Sequence, residues 1–428
     1  MASMTWVMLL LPLAMLAIGF PVIVILLVSA GVVITLFTPV PPAALHQVLF
    51  GSLDSFTLLA IPFFIFTGEV MSRGGLAQRL VDWTRCLFGR SKASLPLTTV
   101  GSMTMFGAIS GSAPATIAAV GRITLKPMLD AGYDKRFAAG LLTASGVIDN
   151  VIPPSVAIII FAAVAEVSVV KLFAAGFIPG LLFALAFGLY VWLRAARSTA
   201  VAVGEPFSLR RFAIETKRAF WALGMPVVIL GGIYGGVFSP TEAAGVAAAY
   251  AVVVSMLIYR EVTPRQLMEA ASNSAFVTAQ LMLVIAAAGV FSWLLTISGV
   301  SAGVKTAVTS LDMPPWLILL VINVILLIAG CFIDTASAIL LLTPILLPIA
   351  VAAGIDPVHF GIVMTTNLSI GMFTPPFGVN IFVVQAVFKQ PVSVIYPGVW
   401  PFVVLSIAVL MLITYVPALS LFLTHYIR

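Results

Sequence analysis

Two stretches of the chain carry the same helix-breaking residues at one constant spacing of 222 positions, without a gap. Gly132-Tyr133-Asp134 recurs as Gly354-Ile355-Asp356, Thr143 as Thr365, Pro153-Pro154 as Pro375-Pro376, Gly176 as Gly398 and Pro179 as Pro401. The same offset sets Ser112, in Ser110-Gly111-Ser112-Ala113-Pro114, on Asp334, in Asp334-Thr335-Ala336-Ser337. Each copy therefore holds a polar break followed by a Pro-Pro break, both inside apolar sequence. Whatever the first copy builds, the second must build again.

Composition names the solvent. Of the 428 residues, 61% are hydrophobic and 8% charged, against about 25% charged in soluble domains. The chain reads as an all-α polytopic membrane protein in a lipid bilayer. Its formal charge of +6 comes from Lys and Arg in short loops, so it reports orientation and implies no nucleic acid. Cys86 and Cys331 lie far apart and suggest neither a disulfide framework nor a metal site. His46, His359 and His425 are scattered, against a haem or zinc centre, and the last two fall near segment ends, where interfacial positions are expected.

No Lys or Arg precedes Arg73, which argues against a cleavable signal. The apolar run Met4 to Val40 exceeds the ~20 residues of one span, and Pro21 and Gly31 leave two readings, two short helices or one kinked helix.

Positive charge predicts the topology. Arg73, Arg79, Arg85, Arg90 and Lys92 form one basic cluster and Arg122, Lys126, Lys135 and Arg136 a second, both expected in the cytoplasm. The apolar piece between them, about 93–121, starts and ends on one side and is broken at its centre, which predicts a re-entrant hairpin. A broken helix, 137–165, and a return helix complete a first repeat, 1–198. Residues 199–218, with several arginines, read as a cytoplasmic amphipathic linker. The second repeat, 219–428, has scaffold helices, a hairpin at about 315–350 and a broken helix at 360–388. Five crossings separate the hairpins, so the second enters from outside and the repeats are expected to be inverted in topology.

Irregular backbone at membrane depth is tolerated only where it is buried in protein or lines a polar cavity. Duplicated, interrupted segments are the pattern of a secondary transporter with its site where the repeats meet. Half-helix ends and freed carbonyls suit a small cation such as Na⁺ or a substrate carboxylate. One expected sodium site combines Ser110, Gly111, Ser112, Asp149 and the Ile152 carbonyl. The other combines Asp334, Thr335, Ser337, Gly371 and Thr374. The bland alternative is small-residue helix packing, which Gly and Ser also serve. Duplication at one offset argues for the functional reading. Asp149 and Asp334 are the acids deepest in apolar sequence, where charge is costly. Glu242, after Ser239-Pro240, reads as a helix-capping acid at an outer turn.

Enzymes fit poorly. No histidine lies at the depth of Ser110 or Ser112 to act as base, the two aspartates lack an aspartyl-protease setting, and no P-loop is present.

Several of these motifs together resemble the large membrane subunit of tripartite ATP-independent periplasmic (TRAP) transporters. They are Leu59-Ala60-Ile61-Pro62-Phe63-Phe64-Ile65-Phe66-Thr67-Gly68-Glu69, Ser110-Gly111-Ser112, Ile152-Pro153-Pro154-Ser155, Ser239-Pro240-Thr241-Glu242-Ala243-Ala244, Asp334, and Thr374-Pro375-Pro376-Phe377-Gly378-Val379-Asn380. The resemblance covers nearly the whole chain. It implies a multi-pass protein of the bacterial inner membrane that imports an organic acid (a C4-dicarboxylate, sialic acid, keto acid or sugar acid) by sodium symport. The hairpin-bearing domain would slide against a scaffold, an elevator motion. It implies as partners a small four-helix membrane subunit, expected as a separate polypeptide, and a periplasmic substrate-binding protein, with no cofactor beyond Na⁺. Thr116, Asn150, Pro153, Ser155, Pro375 and Asn380 are the expected substrate-cavity residues. Asp149 departs from the small residue usual there in the family. A carrier without a binding protein, or a non-transporting scaffold subunit, is the alternative.

Overall fold

The computed structural model describes every residue except 1, 39, 42, 198, 200–205, 300–302, 304–312 and 428. Among the described residues the chain is helical throughout, and seven helices are long and apolar enough to span a membrane, or eight if one bent pair counts as a span. The N-terminal run forms two helices, α1 (Ala2–Ile18) and α2 (Val22–Phe37). Gly19, at φ +91°, and Pro21 make the break, whereas Gly31 lies inside α2. A short α3 (Ala43–Gly51) leads to α4 (Ala60–Arg73) and the amphipathic α5 (Leu76–Phe88).

The first hairpin is α6 (Ser94–Ser110) and α7 (Ala113–Asp130). Gly111 closes α6 at φ +61°, and Pro114 sits in the first turn of α7, where a missing N–H costs nothing. The second arm runs past the expected end at 121, because Arg122 and Lys126 continue the helix and turn outward into a polar cleft with Asp82 and Arg85. Next come α8 (Lys135–Val151) and α9 (Val156–Ala165), bent by 42° across the first Pro-Pro break, and α10 (Val169–Ala196). Helix α11 (Leu209–Tyr234) begins inside the stretch read as linker, since its charged residues lie on an exposed or half-buried face of a continuous helix. Helices α12 (Pro240–Val253) and α13 (Pro264–Ile297) follow, and the Ser239–Glu242 capping box opens α12 as the sequence predicts.

The second hairpin is α14 (Pro315–Phe332) and α15 (Thr335–Ala352). Helices α16 (Pro357–Gly371) and α17 (Val379–Phe388) flank the second break, and α18 (Val392–Tyr415) and α19 (Ala418–Leu421) end the described chain apart from a single 3₁₀ turn. Helix α15 matches α7 end for end at the 222-residue offset, and both Pro-Pro peptides are cis. Asp134 caps α8 through the Phe137 N–H at 2.9 Å, and Asp356 caps α16 through the Val358 and His359 N–H groups. Each of these caps follows a glycine of positive φ, Gly132 and Gly354.

Packing sorts the helices into two bodies. Helix α4 lies against α12, and α13 against α2 and α4, forming a scaffold. Hairpins, broken helices, α10 and α18 form the other body, in which the halves exchange partners: α7 packs on α17 and α15 on α9. Backbones touch where α8 crosses α18, since a Cβ on Gly398 would lie 2.0 Å from the Arg136 carbonyl oxygen. Sixteen residues along α18, about 24 Å at helical rise, the Thr414 carbonyl meets His359 Nε2 at 3.2 Å. The starts of α8 and α16 therefore sit at opposite ends of α18. Their hairpins follow, as the Tyr133 hydroxyl donates to the Lys92 carbonyl and the Tyr415 hydroxyl to the Trp316 carbonyl at 3.1 Å.

His359 stands near a segment end, as expected, but is covered by protein. It is buried in the first turn of α16, next to a polar chain in which Asn323 donates to Thr414 and Asn367 donates to Asn323. Sequence reasoning passed over this network, although Asn323 and Asn367, each inside an apolar run, were its signal.

Candidate functional site: hairpin tips against broken helices

The first hairpin tip and the first break are in direct contact. The Gly111 carbonyl accepts from the Val156 N–H at 3.4 Å, and a Cβ on Gly111 would come within 2.9 Å of the Pro154 carbonyl oxygen. Four residues earlier, Gly107 lets α8 approach until its Cβ position lies 2.9 Å from the Asp149 Cα. Asp149 is fully buried. One carboxylate oxygen accepts from the Thr116 hydroxyl at 2.8 Å; the other, Oδ2, has no hydrogen-bond partner. Ser110 donates weakly to the Ser112 carbonyl at 3.4 Å and lies against Gly68 of α4, so the tip also touches the scaffold. Ser155 caps α9 and donates to the Asn150 carbonyl at 2.6 Å, spanning the gap the prolines leave. Of the expected first set, Gly111 meets the break at Pro154 and Val156, and Asp149 meets the hairpin at Gly107 and Thr116, whereas the Ile152 side chain packs on Gly180 of α10.

The second cluster is looser. Gly330 and Gly371 let α14 and α16 meet backbone to backbone, a Cβ on Gly371 lying 2.3 Å from the Gly330 carbonyl carbon. Phe332 and Phe377 bring tip and break together, with ring centroids 5.5 Å apart. Asp334 is the N-cap of α15, its Oδ2 accepting from the Ser337 N–H at 3.0 Å. Thr335 Oγ1 is buried without a partner, and the Thr374 hydroxyl donates to the Ile370 carbonyl. Among the described residues no hydrogen bond joins Asp334 to Thr374, and tip and break meet through Gly330–Gly371 and Phe332–Phe377.

The two breaks differ in exposure. Pro153, Pro154 and Ser155 are buried, whereas Pro376 and Phe377 are exposed. Between the breaks Asn150 donates to Met372 Sδ at 3.2 Å, a pair separated by 222 residues. Asn380 is fully buried with both amide atoms unpartnered, and reaches from the second break to Gly146 of α8. Asn150, Asn380, Thr116 and Ser155 therefore lie along the junction of the halves. Gly68, Gly107 and Met372 are contributors that sequence reasoning gave no role. Among the described residues no group of His, Cys, Asp and Glu gathers for a transition metal. Any cation here would be held by carboxylate, hydroxyl and carbonyl oxygen, the donor set of hard ions.

The family described as tripartite ATP-independent periplasmic transporter, DctM component, matches residues 9–419. The chain belongs to that family. The permease is 40% identical over 399 residues to the C4-dicarboxylate TRAP transporter large permease protein DctM of Pseudomonas aeruginosa, covering 93% of each chain. It is 36% identical to the 2,3-diketo-L-gulonate TRAP transporter large permease protein YiaN of Escherichia coli, with 94% and 95% covered. The crystal structure of the YdaH transporter of Alcanivorax borkumensis superposes with a TM-score of 0.63 at 14% identity, over 94% of this chain and 97% of that one, a likeness of fold. The permease is a multi-pass protein of the bacterial inner membrane and a transporter subunit, as its relatives are.

Proposed function

We propose that the permease imports an organic acid by sodium symport, with the two tip-and-break clusters as cation sites and the substrate between them. The buried Asp149 carboxylate carries this reading, because it has one bare oxygen in a segment packed at membrane depth. Charge there costs at least about 2.5 kcal/mol unless a partner offsets it. Ser110, Ser112 and the Ile152 carbonyl are read as its companion oxygen ligands. Asp334, Thr335, Ser337, Gly371 and Thr374 form the counterpart. The cargo is read as an organic acid, a reading supported by relatives named for C4-dicarboxylate, isethionate and 2,3-diketo-L-gulonate. Substrate would reach it from a periplasmic binding protein, with a small four-helix membrane subunit completing the transporter.

The halves are read as inverted repeats, a reading supported by their hairpins entering at opposite ends of α18. The hairpin body is read as the moving part of an elevator. In this conformation α9 touches the scaffold helix α4, while α17 lies mainly against α7, α8 and α18 of the moving body, and Pro376 and Phe377 are exposed. Because α17 leads toward Lys389 on the basic side, this arrangement corresponds to the cytoplasm-facing state.

Two outcomes test the reading. Liposomes holding permease, small subunit and binding protein are expected to accumulate substrate with external Na⁺ and not in choline; equal uptake in both would refute symport. For topology, single cysteines at Ser91 and Ala353, in a background lacking Cys86 and Cys331, are expected to label from opposite faces of intact cells. Ala353 should react with an impermeant thiol reagent and Ser91 should not. Reaction of both from outside would remove the inversion.

A further inference from the structure

One polar chain links three helices of the second repeat. Asn323 of α14 donates to the Thr414 hydroxyl of α18 at 3.1 Å, and Asn367 of α16 donates to Asn323 Oδ1. His359 donates through Nε2 to the Thr414 carbonyl at 3.2 Å. All four side chains are buried, Asn323 and Asn367 completely. The chain is nonetheless incomplete, because Asn367 Oδ1, Thr366 Oγ1 and His359 Nδ1 have no partner. Replacing such a half-satisfied set by groups that need no partner is neutral or stabilising, so stability does not account for it.

Its place does. Asn323 stands seven residues before Gly330 and Asn367 four before Gly371, spacings that keep each amide on the same helix face as its glycine. The amide pair and the glycine contact therefore lie on one seam, about 10 Å apart along α14 and about 6 Å along α16. Around them the buried face of α14 is aliphatic, with Leu319, Ile322 and Leu326. Lipid chains are as apolar as leucine, so such contacts do not decide which residue meets which. A buried amide does, because a slip of one residue breaks its bond and strands both ends. The first repeat has no such pair. Its matching positions are Gly101, without a side chain, and Ser145, whose hydroxyl donates to the Leu141 carbonyl of its own helix. There the tip is tied to its break directly, the Gly111 carbonyl accepting from the Val156 N–H. In the second repeat, among the described residues, no hydrogen bond joins Ile333 or Asp334 to residues 372–378.

We infer that Asn323 and Asn367 are the positioning residues of the second cluster, fixing the register of α14 on α16 so that the hairpin tip arrives opposite its break. The inference rests on the reading of that cluster as a sodium site. Neither amide is a ligand of the ion. What the pair sets is the separation of Asp334, Thr335 and Ser337 at the tip from Gly371 and Thr374 at the break. Helix α18 is the anchor, since Thr414 holds Asn323 and the neighbouring Tyr415 holds the Trp316 carbonyl, at two heights on α14. Loss of the groups that orient a set of metal ligands typically lowers affinity about 10- to 100-fold.

The double variant Asn323→Thr with Asn367→Thr tests it in the complete transporter. Threonine has nearly the volume of asparagine, and its hydroxyl can donate to the carbonyl four residues back, as Thr365 and Ser369 do on the same helix. The expected result is a sodium half-saturation for uptake raised about tenfold or more. The sodium-free melting temperature should equal or exceed that of wild type. A purely structural pair gives the reverse, a lower melting temperature with sodium half-saturation unchanged, and that outcome overturns the inference. A second readout does not involve sodium. Nitroxides at the exposed positions Ile328 and Phe377, in a background lacking Cys86 and Cys331, report the tip-to-break separation by dipolar broadening. The separation should be narrow with both asparagines present and spread in the double variant. If uptake by the wild type proves independent of sodium, the sodium reading fails and the nitroxide result alone decides the positioning role. Should the double variant not fold, Asn367→Ser, which copies the first repeat, takes its place under the same outcomes. An unchanged nitroxide separation in the folded variant overturns the inference in every case.

Discussion

Asp334→Ala is expected to abolish sodium-driven uptake while the protein still folds. The carboxylate caps α15 through the Ser337 N–H, so its loss costs about 1 kcal/mol of helix-end stability, too little to unfold a domain of this size. On the proposed reading the same substitution also removes a sodium ligand from the second cluster. Bonds to charged groups are worth ~1.5–3 kcal/mol, so sodium affinity should fall roughly 10- to 100-fold. Asp334→Asn separates the two roles, because Asn caps a helix as well as Asp does. It should restore thermal stability and leave uptake absent. Restoration of uptake by Asn would assign Asp334 a capping role alone and remove the second hairpin from ion coupling. Ser112→Ala, at the matching position of the first hairpin, should be milder, since a hydroxyl carries no net charge and the carbonyls around it remain.

Asp149→Asn should change stability in opposite directions with and without sodium. In sodium-free buffer the native carboxylate is buried with Oδ2 bare, and a neutral amide of the same shape relieves that cost. The variant should therefore melt higher than wild type when sodium is absent. With sodium present the order should reverse, because a ligand bound only by the folded state stabilises by mass action and the variant binds it less. Thermal unfolding across a sodium titration reads both effects. A variant that melts lower than wild type without sodium, yet keeps the full sodium-dependent rise, would make Asp149 a structural hydrogen-bonding residue.

The duplicated breaks were legible because they rest on backbone necessity. Pro153-Pro154 and Pro375-Pro376 lack the N–H groups a helix needs, and Gly132 and Gly354 adopt a positive φ that side chains disfavour. Such residues act where they stand, so their spacing located the breaks, and the basic clusters beside them bounded the first hairpin. Residues whose role depends on a distant partner were not legible. Gly31 reads as a break, yet stays helical because α2 asks nothing special of it. The arginines after Leu209 read as linker, yet extend α11, whose other face packs on α5. The burial of His359 is not evident until Thr414, 55 positions away, is placed beside it. In the candidate site, the membership of Asp149 was readable from its depth. Its pairing with Thr116 and its approach to Gly107 needed the fold, which brings α6, α7 and α8 together.

On the inverted-repeat reading, Asn150 and Met372 are copies of one position that meet at the axis relating the halves. A residue on a twofold axis meets its own copy, so in two identical subunits one side chain has to suit both sides of the seam. Two amides would have to settle which donates and which accepts, and two thioethers would offer no donor. Once both halves are written into one polypeptide, each side of the axis can mutate alone. Here an amide donor faces a soft sulfur acceptor, an unequal pair available to a fused gene and closed to a symmetric dimer.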